Sequence, residues 1–151
     1  MNYVGWLLTI HLLGAALWVG GIGFLLLILR PSVAVLEPSA RLALHAQVFA
    51  RFFRMLWHVV PLVLATGYAV LFGFYGGFKG VSWPVHLMHL TGLMMTLLFL
   101  IIFFVPFRAL RLAAADANLA VGVAAMARLR MLASINLALG IVTLAAAAFA
   151  A

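Results

Sequence analysis

Residues 3–29 read YVGWLLTIHLLGAALWVGGIGFLLLIL, with no charged side chain between Tyr3 and Leu29. An α-helix rises about 1.5 Å per residue, so this run is long enough to cross the roughly 30 Å hydrocarbon core of a bilayer, which takes about 20 residues. Three further runs share its character: His58 to Phe78, Trp83 to Phe107 and Met131 to Ala151. A helix satisfies its own backbone hydrogen bonds, which is the condition that lipid imposes on a spanning segment. The predicted fold is an all-α membrane protein, a four-transmembrane-helix bundle, with residues 1–151 forming a single integral membrane domain. Composition agrees. Only 7% of residues are charged and 69% are hydrophobic, against about 25% charged in an average soluble domain. The lipid bilayer is therefore the first partner.

The connections add detail. Arg30 to Trp57 opens with Pro31, Glu37 and Pro38 and then mixes Arg41, His45, Gln47, Arg51 and Arg54 with apolar residues. This is an amphipathic interfacial segment between the first two helices. Ser39 is a candidate N-cap, and Gln47, Arg51, Arg54 and His58 follow at helical spacing, so the segment is expected to run straight into the second span. Pro61 then marks a kink rather than a start. Gly76 to Ser82 is a short glycine-rich turn pairing spans two and three, and Arg108 to Arg130 reads as a longer polar-to-alanine link. No internal repeat or second domain stands out.

Eight of the nine basic residues lie in two links: Arg30, Arg41, Arg51 and Arg54 in one, Arg108, Arg111, Arg128 and Arg130 in the other, with Lys79 alone on the opposite side. By the positive-inside rule both links face the cytoplasm of a bacterial-type inner membrane, and both termini face outward. An N-terminus without Lys or Arg argues against a cleaved signal peptide. The net charge of +7 is read as this topology signal plus attraction to anionic lipid; no nucleic acid partner is expected.

Several chemistries are excluded at this stage. Without cysteine there is no disulfide, thiolate metal site, iron–sulfur cluster or covalent haem attachment. The only acids, Glu37 and Asp116, fall in the arginine-rich links, so no span carries a carboxylate to relay protons, bind a coupling ion or complete a catalytic triad.

Histidine remains. An ionisable residue at membrane depth is costly and points to function. His11 lies roughly 10 Å in from Val4, and His89 roughly 9 Å in from Trp83, at 1.5 Å per residue. Both fall in the outer half of spans running in the same direction, so the two imidazoles are expected to face each other as axial ligands of one haem b. The face of His11 continues through Gly14, Ala15, Trp18 and Gly21, and Gly92 stands one turn from His89. Small residues there would leave room for a macrocycle, with Trp18 at its edge; the competing reading is close helix packing. For the histidines the competing reading is hydrogen bonding between helices. His86, near the outer boundary and about 60° round from His89, is assigned an interfacial role or a propionate contact. His58 has no partner at its depth, and His45 is placed, solvated, on the surface helix. Asn136 reads as glue between helices, with lining a quinone or haem pocket as the alternative. Met88, Met94 and Met95 read as core or lipid-facing, yet methionine beside histidine also suits copper(I), giving a second cofactor reading that uses His86 and His89.

The run Trp6-Leu7-Leu8-Thr9-Ile10-His11, followed by Trp18-Val19-Gly20-Gly21, resembles the first helix shared by HemJ-type protoporphyrinogen oxidases and copper resistance protein D (CopD)-like membrane proteins. Arg51-Phe52 with Arg54, leading to Thr66-Gly67, resembles the CopD-like pattern. The HemJ resemblance implies a haem-associated role for His11, but the third span departs from that family in carrying His89 and no lysine.

The functional expectation is a b-type membrane cytochrome that holds one haem between His11 and His89 and exchanges single electrons with a membrane quinone or a periplasmic redox protein. The alternatives are copper transport or handling of the CopD kind, HemJ-like protoporphyrinogen oxidation as a haem-dependent membrane oxidoreductase, and a packing subunit of a larger oligomer.

Overall fold

The computed structural model describes residues 3–150 and contains four long helices, each apolar enough to cross a membrane: α1 (Tyr3–Val35), α2 (Pro38–Gly73), α3 (Trp83–Ala115) and α4 (Leu119–Ala147). No strand occurs among the described residues. The expected fold is present, with Ala151 of the fourth span outside the described residues. The helices are longer than the apolar runs because each continues past its membrane stretch at the arginine-rich end. Arg108 to Arg130 is accordingly not an extended link. It is the last turns of α3 and the first turns of α4, separated by a tight connection in which Ala117 takes φ of 52°. Alanine-rich sequence is strongly helix-forming, and Asn118 caps α4 by accepting from the Val121 N–H at 3.2 Å.

The amphipathic segment does run into the second span as one 36-residue helix, about 54 Å long by the same rise. Pro38 starts it, so the cap position falls on Glu37 and not on Ser39; the proline has no N–H to leave unsatisfied in the first turn. Pro61 sits inside it. Among its buried residues, Leu42, His45, Phe49, Phe53, Leu56, Val60, Val63, Thr66 and Val70 recur every three or four positions, and this is the stripe that packs on the bundle. Gln47, Arg51, Arg54 and His58 are exposed, as their spacing predicted. His45 is the exception to the sequence reading. It belongs to the inward stripe, is only 6% exposed, donates from Nδ1 to the Arg41 carbonyl at 2.8 Å and stacks on Phe49.

α1 packs mainly on α2, and α3 mainly on α4, giving two antiparallel hairpins joined through α1 against α4 and α2 against the arginine-rich end of α3. Close approach is made where glycine leaves a gap. A Cβ on Gly14 would lie 2.5 Å from Val63, on Gly21 2.4 Å from Phe52, and on Gly122 2.6 Å from Leu42. Gly14 and Gly21 thus receive side chains of α2, the packing role of small residues in membranes. The arginine-rich half of the bundle is filled with aromatic rings: Phe53 touches Phe49, Phe52, Phe99, Phe103 and Phe107 at centroid separations of 4.7–6.0 Å.

α1 and α3 share an irregularity that the sequence did not advertise. Each widens into a π turn, at Leu25–Leu29 and at Phe103–Phe107. Proline accompanies both, Pro31 just beyond the first and Pro106 inside the second; lacking an N–H and crowding the carbonyl four residues back, it favours the wider turn. An arginine follows directly in both, Arg30 and Arg108. Counting back equally from each turn reaches His11-Leu12-x-Gly14 in α1 and His89-Leu90-x-Gly92 in α3.

Candidate functional site at the histidine end of the bundle

His11 is half-buried against α2. Its Nδ1 lies 2.9 Å from the Val63 carbonyl and 3.3 Å from Thr66 Oγ1. A carbonyl can only accept, so the neutral ring carries its proton on Nδ1 and presents the Nε2 lone pair. Thr66 is oriented by its own hydroxyl, which donates to the Leu62 carbonyl at 2.7 Å. A backbone carbonyl holding one ring nitrogen is the usual support for a histidine whose other nitrogen binds a metal. Gly67 makes the seat: a Cβ there would fall 2.9 Å from His11 Cε1.

His89 meets α2 one residue further on, its ring edge-on to Tyr68 at 5.4 Å and to Phe78 at 4.8 Å. His11 and His89 thus contact α2 at neighbouring residues, Gly67 and Tyr68. His86, exposed at the mouth, stacks on Phe78 at 5.9 Å, so one phenyl ring is shared by His86 and His89. Beside Gly92 there is open space. Trp18 lies deeper, 3% exposed and edge-on to Phe99 at 6.5 Å.

The methionines separate. Met94 is exposed, Met88 is half-buried, and Met95 is 2% exposed in the core, where its sulfur lies 3.8 Å from Thr143 Oγ1. Thr143 donates to Thr91 Oγ1 at 2.6 Å, and Asn136 Nδ2 donates to the Met95 carbonyl at 3.3 Å. Asn136 therefore does tie α4 to α3. His45 and His58 lie far along α2 from this end. Among the described residues no group of three or more His, Asp or Glu side chains gathers closely enough to enclose a metal ion. The site consists of separate imidazoles on α1 and α3, seated on α2.

Sequence reasoning missed the partners that position these rings: the Val63 carbonyl, Tyr68 and Phe78. A readable signal did exist, since Thr66-Gly67 is a polar and small pair in an otherwise apolar span. Gly67→Ala is expected to displace the His11 ring and weaken any metal held by Nε2 about 10- to 100-fold, the range for loss of a ligand's supporting contact. The check is a metal titration beside Gly73→Ala, where a Cβ meets nothing within 4 Å.

A family model for copper resistance protein D matches residues 46–150, which takes in most of α2 and all of α3 and α4. No curated protein and no solved structure matches the chain. The family match covers His86, His89, Thr66 and Gly67 and begins after His11. By this match over more than two thirds of its length, the chain belongs to the copper resistance protein D family.

Proposed function

We propose that this chain handles copper(I) at the outer mouth of its bundle, with His86 and His89 receiving the ion and His11 as the imidazole toward which it moves. The family supports copper as the cargo. The observation that carries the reading is the His11 hydrogen bond to the Val63 carbonyl, which leaves Nε2 as a ready ligand. Imidazole suits copper, and thioether sulfur suits the cuprous state, so Met88 beside His89 extends the donor set. No carboxylate lies in a span, which fits a singly charged soft ion better than a hard divalent one. The test is titration of the purified protein with copper(I) against a chromophoric chelator under reducing conditions. About one tightly held ion per chain is expected, and a protein that leaves all copper with the chelator overturns the proposal.

A second reading, one haem b held by His11 and His89 with a quinone or periplasmic protein as electron partner, is favoured by one observation. The two imidazoles occupy matching places on α1 and α3 and meet α2 at consecutive residues. Haem would supply a one-electron couple to such a site. A reduced-minus-oxidised absorption spectrum separates the readings, because copper(I) is colourless and a low-spin haem is not.

Both readings use an inner membrane with the histidine end outward. A reporter fused after Ala151 is expected to behave as periplasmic, and one inserted between Asp116 and Ala120 as cytoplasmic. The reverse pattern would put His11 and His89 in the inner leaflet.

A further inference from the structure

Two buried polar atoms at the centre of the bundle lack a hydrogen-bond partner among the described residues: Trp18 Nε1 on α1 and Asn136 Oδ1 on α4. Both residues line the same partly enclosed space of about 20 Å³. The rest of its wall is hydrocarbon and aromatic, including Phe49, Phe53, Phe99 and Leu129. Neither orphan is a matter of how the amide is oriented. Asn136 Nδ2 is committed to the Met95 carbonyl, which can only accept, so Oδ1 is the atom left without a partner. Trp18 Nε1–H can only donate. One missing donor and one missing acceptor thus border a single cavity, and an unpaired polar group in such surroundings costs about 1–3 kcal/mol.

We infer that this cavity binds one water molecule, which accepts from Trp18 Nε1–H and donates to Asn136 Oδ1. A water needs roughly 10–15 Å³ of such space and two to four polar partners, and the cavity offers both. An apolar cavity of this size would stay dry; the two complementary orphans make this one wet. The water completes a junction of three helices, since Asn136 also bonds α3 through Met95, and Trp18 belongs to α1. Toward the outer face the junction continues through Thr143, Thr91 and the Met95 sulfur. The remaining lining is apolar, and Leu25, Phe53, Phe99 and Ile102 are among its side chains. The site is independent of which cargo or cofactor the histidines bind.

The test uses the full chain in lipid nanodiscs, with the tryptophan indole nitrogens labelled. Trp18 is assigned by loss of its signal in Trp18→Phe, and Trp6, Trp57 and Trp83 serve as internal references. The expected result is a cross-relaxation peak between the Trp18 indole proton and a long-lived water. In Asn136→Leu that peak is expected to disappear and the Trp18 resonance to move upfield. A visible Trp18 signal with no water peak in the unmodified protein overturns the proposal, whether the cavity is dry or the indole bonds Asn136 directly. A water peak unchanged in Asn136→Leu overturns it as well. The unmodified-protein experiment decides the matter on its own if Asn136→Leu fails to fold.

Discussion

Alanine in place of His89 is expected to lower copper(I) affinity by more than the roughly 10- to 100-fold that attends loss of a ligand's support, because the donor itself is gone. The ring packs edge-on against Tyr68 and Phe78, so its removal trims contacts at the histidine end and leaves the aromatic core around Phe53 untouched. Melting should therefore change little while binding falls. His11→Ala should act in the same direction, with some added loss of stability, since it also abandons the Val63 carbonyl. His58→Ala is the control: the side chain is exposed on the arginine side of α2, and binding should match the unmodified protein. Equal affinity in the unmodified protein, His11→Ala and His89→Ala would remove both imidazoles from the site. If the protein is instead coloured by haem, the same two variants should lose the low-spin spectrum.

The largest stability effect is expected from Phe53→Ala. Phe53 is 4% exposed and stands at the point where rings from α2 and α3 converge, 4.7 Å from Phe107 and 5.6 Å from Phe103. Within a bilayer the attraction between helices comes from packing rather than from water exclusion, so the void left by the ring is the dominant loss. Phe→Ala truncations in cores cost about 3–5 kcal/mol. At about 2–4 °C per kcal/mol for a chain of this size, the melting midpoint in detergent should fall by about 10 °C. Phe104→Ala is the comparison. It lies on α3, 57% exposed, and should shift the midpoint far less. Equal shifts would mean that the aromatic cluster does not hold the bundle together.

The spans were legible because a membrane segment must be long and apolar, and residues 3–29 meet that condition without any tertiary information. The distance of each histidine from the end of its helix was legible for a similar reason, since counting residues along a helix measures that distance. What could not be counted was rotation. His45 shares its segment with Arg51 and Arg54, and only the continuation of the Leu42–Phe49–Phe53–Leu56 stripe shows that it turns inward. Gly14 and Gly21 posed the same difficulty: a small residue makes room, but the sequence does not say for what, and Val63 and Phe52 now fill those spaces. The length of the helices was hidden by the arginines at their inner ends, which read as links because charge masks a continuing helix. The π turns left only Pro31 and Pro106 as traces.

Those paired π turns reach beyond local geometry. A histidine, a glycine three residues on, a widened turn and then an arginine occur in the same order and at the same spacing on α1 and on α3, and each of these helices forms a hairpin with the one that follows it. The first and third helices thus present the same short pattern of side chains at the same distance from a widened turn, each within its own hairpin. The pattern diverges four residues beyond the glycine, where Trp18 stands in α1 and Thr96 in α3.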